Sequence, residues 1–130
     1  MLHIGAGNAK EQLAALRGEM EQSLQLAASV VRTGKTLQSE IEHIRHLLTA
    51  VTALTGVTDE DTFSRLRLEN DLHTALLLLL SAAERTETVG CHVREDYPER
   101  ENSRYRVLVT KQDGSIKVER EDWTKQSEEA

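Results

Sequence analysis

Residues 58–85 read TDEDTFSRLRLENDLHTALLLLLSAAER, and the architecture of the whole chain turns on this stretch. Thr58 stands three residues before Asp61, and Asp59, Glu60 and Asp61 crowd the first turn after it. A hydroxyl that accepts from a backbone N–H at a helix start, together with carboxylates that favour the positive end of the helix dipole, predicts a third helix beginning at Asp59. It should run to about Arg85. Five successive leucines, Leu76 to Leu80, sweep the full circumference of a helix at 3.6 residues per turn, so one buried face cannot hold them all. Either the helix is central to a tight bundle with a leucine half exposed, or the outward leucines belong to an interface, with self-association of the chain as one use of such a surface.

Upstream, Leu13, Leu16, Met20, Leu24, Ala27 and Val31 step by three or four, which predicts a first helix over residues 9–32 ended by Gly34. Leu37, Ile41, Ile44, Leu48 and Val51 mark the buried stripe of a second helix over 36–54, closed by Gly56. Residues 1–8 carry Gly5 and Gly7 without periodicity and read as a loose lead-in. Downstream, Val107, Val109, Ile116 and Val118 alternate with polar residues around Asp113-Gly114, which predicts a β-hairpin with strands over 104–111 and 115–121. A lone hairpin is marginal in water and needs a surface to lie on. The charged end, 124–130, reads as frayed.

The expected architecture is therefore mainly α: a three-helix bundle with a charged turn over 9–100, then a hairpin extension over 101–123. Its expected core is Leu13, Leu16, Met20, Leu24, Ile41, Ile44, Leu48, Leu72, Leu76 and Leu79. Aromatic residues are scarce, Phe63, Tyr97, Tyr105 and Trp123 being the whole supply, and an aliphatic helical core suits that.

A chain of 130 residues supports one domain that buries roughly two thirds of its unfolded surface. That is too little for a nucleotide-binding domain and a substrate domain together, so the chain is not expected to be a complete enzyme. Sixteen Lys and Arg against 22 Asp and Glu give a net charge of −6, the wrong sign for neutralising phosphates, so nucleic acid is excluded as a partner. The apolar run Ala75 to Leu80 is far short of the roughly 20 residues that span a bilayer. A single cysteine, Cys91, and no basic-then-apolar leader point to a cytoplasmic location.

The densest polar constellation is 84–100, ERTETVGCHVREDYPER. Gly90 is expected to release the chain from the third helix, and Pro98 holds Tyr97 extended. On an extended strip His92, Arg94 and Asp96 face one way while Val93, Glu95 and Tyr97 face the other. Such a strip suits a structural connection held by charge-assisted hydrogen bonds better than a catalytic centre. A metal site from His43, His46, Cys91 and His92 has helical spacing for its first pair only, and nothing places the second pair beside it. Cys91 and His92 point to opposite sides and make a poor nucleophile and base. Gly5-Ala6-Gly7-Asn8 lacks the preceding strand of a dinucleotide fingerprint.

Leu68-Glu69-Asn70-Asp71-Leu72 through Ala83-Glu84-Arg85, and then Gly90 to Arg100, resemble the C-terminal helical domain of the succinate dehydrogenase and fumarate reductase flavoprotein family, to which L-aspartate oxidase belongs. Glu87, Gly90, His92, Arg94, Asp96, Tyr97 and Pro98 match the family's Glu-Ser-Arg-Gly-Ala-His-Tyr-Arg-x-Asp-Tyr-Pro stretch. Leu26 to Leu37, with Val31-Arg32-Thr33-Gly34, is similar to the family's first helix and its turn. Thr88 and Val89 depart from the family's Ser and Arg. The resemblance implies part of an FAD-dependent dicarboxylate oxidoreductase: FAD is held elsewhere in the parent enzyme, and this domain packs on the FAD-binding domain or neighbouring subunits, an iron-sulfur subunit among them. The matched residues would then serve structure or docking, with no catalytic, cofactor or metal role in this chain. The alternative is a free-standing interaction module that has kept the fold and lost the enzyme.

Overall fold

The structure, a computed structural model, describes residues 9–123. The expected lead-in and tail lie outside the described residues. Three helices, α1 (Ala9–Ala27), α2 (Gly34–Thr52) and α3 (Asp59–Glu84), precede a hairpin of β3 (Tyr105–Gln112) and β4 (Ser115–Asp122). Two short strands, β1 (Val31–Arg32) and β2 (Val93–Arg94), pair in parallel. The chain is mainly α, as its periodicity predicts.

α3 runs unbroken through the leucine run. Its N-cap is Thr58, whose hydroxyl accepts from the Asp61 N–H at 3.3 Å. α1 ends five residues earlier than its apolar stripe suggests, because the chain leaves the helix to pair Val31 with Val93 and Arg32 with Arg94. Val31 is consequently exposed instead of buried. Gly34 does not terminate α1 either; it is the first residue of α2, behind the N-cap Thr33.

The core gathers Leu13, Leu16 and Met20 from α1, Leu37, Ile41, Ile44, Leu47 and Val51 from α2, and Leu68, Leu72, Leu76 and Leu79 from α3. Two expected members are corrected. Leu24 is only half buried, since the stripe of α1 steps through Ser23, whose hydroxyl donates to a Glu40 carboxylate oxygen. Leu48 sits at the open edge of the α2–α3 groove beside Thr52 and His73, and Leu47 takes the fully buried place. α2 lies between α1 and α3, so its buried sector is wide enough to shift toward Leu47.

The hairpin turns at Asp113 (φ 50°) and Gly114 (φ 79°), the paired left-handed residues a tight two-residue turn requires. It lies on α3. Ile116 packs against the core, and the Tyr105 ring is flanked by the guanidinium groups of Arg85 and Arg120, 4.7 and 4.6 Å from its centroid. Arg120 also donates to the Glu84 carboxylate at 3.0 Å, holding β4 to the end of α3. Among the described residues, no helix is long and apolar enough to cross a membrane.

Candidate functional site

Every matched residue of 87–98 lies at one end of the bundle, where α1 and α3 finish and α2 starts. α3 stops at Glu84, well before Gly90, with Arg85 already extended (ψ 97°). Three of the carbonyls at its end converge on one side chain. Arg94 Nη1 reaches the carbonyl oxygens of Ala82, Ala83 and Arg85 at 3.3, 3.1 and 3.2 Å. A cation is the natural cap for the negative end of a helix dipole.

The other side of the same guanidinium grips Asp96 bidentately, Nε to Oδ1 and Nη2 to Oδ2, each at 2.8 Å. Asp96 Oδ2 also accepts from the backbone N–H of Gly34 at 3.0 Å, so a carboxylate serves the positive end of α2. With its side chain 3 % exposed, Arg94 is fully paired in a dry site. The hydrogen bonds from Arg94, then that from Gly34, hold the Asp96 carboxyl well below the usual carboxylate range.

Space favours glycine at position 34. A Cβ at this position would sit 2.8 Å from both Arg94 Nη2 and Asp96 Oδ2.

His92 flanks the pair. Its Nε2 lies 2.9 Å from the Arg85 carbonyl and its Nδ1 3.0 Å from Arg32 Nη1. Those partners demand a neutral ring with the proton on Nε2. Burial is the main cause of its lowered pKa, and the charges of Arg32, Arg94 and Arg85 push the same way.

The extended strip expected for 92–97 exists only at β2. Tyr97 N–H donates to the Arg94 carbonyl at 3.1 Å, so 94–97 form a tight turn, and the Tyr97 ring folds over the Arg94 guanidinium, 5.0 Å from its centroid, instead of facing away. Gly90, with φ 57°, makes a second turn in which Val89 and His92 exchange backbone hydrogen bonds. Thr88 seats its hydroxyl between the two turns, accepting from the Arg94 N–H at 3.0 Å and lying 2.9 Å from the Tyr97 carbonyl. Glu87, almost wholly buried, accepts from Arg85 Nη1 at 2.7 Å and from the Glu101 N–H at 2.8 Å. Pro98 lines a shallow groove with Thr86, Asp96, Glu99, Arg100 and Glu101.

Sequence reasoning missed Arg32, Gly34 and Arg85 as parts of this site. The signal was Val31-Arg32-Thr33-Gly34, visible in the sequence but not assignable to a partner 62 residues away.

The arrangement supplies fixed, mutually neutralised charges. It does not fit FAD: Arg94 and Arg120 are spent on Asp96, Glu84 and Glu101, and the nearby groove sets Arg100 against three carboxylates, Asp96, Glu99 and Glu101, a poor seat for a pyrophosphate. His43 pairs with Glu40 at 3.2 Å, on α2, while His92 is committed to Arg32 and Arg85. Among the described residues no group of three or more His, Cys, Asp or Glu is placed to hold a metal.

Compared with known proteins, the chain matches over residues 17–128 the family model described as fumarate reductase flavoprotein C-term. A fumarate reductase flavoprotein subunit of Mycobacterium tuberculosis is 33 % identical over 121 residues, covering 86 % of this chain and 21 % of that protein. A succinate dehydrogenase flavoprotein subunit of Rickettsia bellii is 35 % identical over 98 residues, covering 72 % and 16 %. A solved quinol-fumarate reductase with menaquinol molecules superposes with a TM-score of 0.72 at 25 % identity, covering 91 % of this chain and 22 % of that one. The chain thus spans about a fifth of the length of the relatives it matches.

Proposed function

The chain belongs to the C-terminal family of fumarate reductase and succinate dehydrogenase flavoproteins, and from that membership we propose that it is the helical C-terminal domain of an FAD-dependent dicarboxylate oxidoreductase, docking on the flavin-bearing part of that enzyme. The observation that carries this reading is the family match across most of the chain, together with a motif region whose charged groups are spent on one another. FAD, the dicarboxylate and the hydride transfer belong, on this reading, to the four fifths of the flavoprotein outside the matched segment, and an iron-sulfur subunit is the further partner. Glu87, Gly90, His92, Arg94, Asp96, Tyr97 and Pro98 are, on this reading, structural or docking residues.

The free-standing module is the less favoured reading. Its motivating departures, Thr88 and Val89, leave the joint intact: Thr88 supplies the hydroxyl that ties the two turns, and Val89 exchanges backbone hydrogen bonds with His92.

The test is co-purification. Co-expressed with a flavin-domain polypeptide from the family, the chain is expected to form a one-to-one complex whose flavin resides on the other polypeptide. Stoichiometric, tightly held flavin on this chain by itself overturns the proposal.

A further inference from the structure

The side of α3 opposite the core carries Phe63, Leu66, Leu77 and Leu78, all exposed, with Phe63 at 73 % the most open of them. At 100° per residue these four, with Arg67, Asn70 and Thr74 between them, share one outward face about 22 Å long. All three intervening residues are exposed as well. Arg67 has no ion-pair partner among the described residues. Apolar anchors around an unpaired arginine have the composition of a binding surface, not of a solvated helix face.

We infer that this face of α3 is the docking surface for the tethered remainder of the flavoprotein, a body presenting an apolar strip with an acidic group opposite Arg67. The inference rests on the reading of the chain as a flavoprotein C-terminal domain and adds the surface by which it docks.

Area selects this occupant over a second copy. Fully covered, the four apolar side chains supply roughly 400 Å² per partner, and Arg67, Asn70 and Thr74 bring the face to roughly 600 Å², still short of the ~800 Å² per partner buried in stable complexes of separate chains. A tether changes that requirement. Domains of one chain meet through about 600 to 1,500 Å² in total, because a short linker supplies an effective concentration in the millimolar range. About four fifths of the mycobacterial relative lies outside the match, ample for such a body.

The approach geometry agrees. α1 and α3 run in the same direction, since the ends of α1 and α3 meet the start of α2 at the motif. The Arg17–Asp71 ion pair, at 2.9 Å, sets their level. Ala9 and Phe63 lie equally far upstream of that pair, so the start of α1 is level with the Phe63 end of the face.

The experiment reads thiol accessibility in a Cys91→Ser background, with Leu66→Cys on this face and Leu26→Cys on the separate exposed patch of Leu26, Val30 and Val31. Both positions are exposed, so the core is undisturbed. Labelling is compared between the isolated chain and a flavin-loaded chimera in which this chain replaces the matching segment of the mycobacterial flavoprotein. The expected result is that the Leu66→Cys thiol labels freely in the isolated chain and at least about tenfold more slowly in the chimera, equivalent to ~1.4 kcal/mol of docking free energy. If only the Leu26→Cys thiol is protected, the domain docks by another surface, and the inference fails while the proposed function stands. If neither is protected, the domain docks by a surface other than these two and the inference fails, while the co-purification experiment decides the proposed function separately. Protection of the Leu66→Cys thiol in the isolated chain, with a dimer by sedimentation, gives the face to a second copy and overturns the inference. Should the chimera take up no flavin, the two polypeptides are mixed at about millimolar concentration, the tether's equivalent, and the same thiols are read.

Discussion

Arg94 and Asp96, two residues apart in sequence, join opposite ends of two helices: the guanidinium caps the last carbonyls of α3 while the carboxylate it holds accepts from the first N–H of α2. The negative end of one helix dipole and the positive end of another are thus neutralised through a single ion pair. Neither helix end is left with its orphan groups facing an apolar core.

Replacing Arg94 by Lys keeps the charge and removes the planar fork. An ammonium cannot meet both Asp96 oxygens and three carbonyls at once. The expected cost is about 2 to 4 kcal/mol, since charge-assisted hydrogen bonds in a buried site are lost without any partner being removed. Thermal melting followed by circular dichroism should fall by roughly 10 °C or more for a domain of this size. A variant melting within about 2 °C of the parent would show that the joint contributes little to stability.

Asp96→Asn keeps the shape and removes the charge. Because the Asp96 side chain is 38 % exposed, solvent screening reduces the expected loss to about 1 kcal/mol near neutral pH. The sign with pH is determined. A carboxyl whose folded pKa is depressed contributes its stability above the unfolded value of about 3.9, and that contribution disappears as pH falls toward the folded value. Melting temperatures of parent and variant should therefore differ at pH 7 and converge below pH 3; a constant gap across that range refutes the assignment.

Gly34→Ala introduces a methyl 2.8 Å from both partners of the ion pair. Helix propensity favours alanine by about 1 kcal/mol in a helix interior, yet the overlap with two immobilised groups is expected to win, with a net loss of about 1 to 2 kcal/mol by urea denaturation. In an Asp96→Ala background one obstacle is gone and the penalty should shrink by at least half, so equal penalties in the two backgrounds would show that the crowding lies elsewhere.

His92 carries a pH signature of opposite chemical type but the same direction. Its pKa is lowered in the folded chain, so between about 6.5 and that lowered value the unfolded chain binds more protons, and stability falls with acidification. His92→Gln retains a side-chain amide in place of the ring and does not titrate. Between pH 7.5 and 5 the parent should lose more stability than this variant, measured as the denaturation midpoint in urea; parallel curves would exclude His92 as the source.

The elements were legible wherever a local rule governs them. Thr58 with its three acidic followers marks the start of α3, the leucine run predicts exposed leucines, and Asp113-Gly114 places the hairpin turn, all from contacts within a few residues. What failed to show was set by distance along the chain. The end of α1 depends on Val31 pairing with Val93, and the role of Gly34 depends on Asp96; without those partners a glycine after an apolar stripe reads as a helix stop. The exchange of Leu48 for Leu47 is a matter of angle, since adjacent positions on α2 both border the buried sector and only packing between two neighbours chooses between them. In the site, the pairing of Arg94 with Asp96 follows from their spacing, while the capping of α3 required knowing that the chain doubles back onto its own helix end.

The bond from Gly34 to Asp96 closes a loop of 62 residues, whereas each helix forms from neighbours three or four apart. Closure of so long a loop loses chain entropy before any contact returns it, and the ion pair needs the end of α3, the start of α2 and the turn at 94–97 in place together, so this joint is expected to assemble late. Interactions absent from the folding transition state leave the rate of folding almost untouched and act on the rate of unfolding. Arg94, Asp96 and Gly34 therefore govern how long the folded chain survives between openings, and their substitution should shorten its half-life in strong denaturant while refolding proceeds at the parental speed.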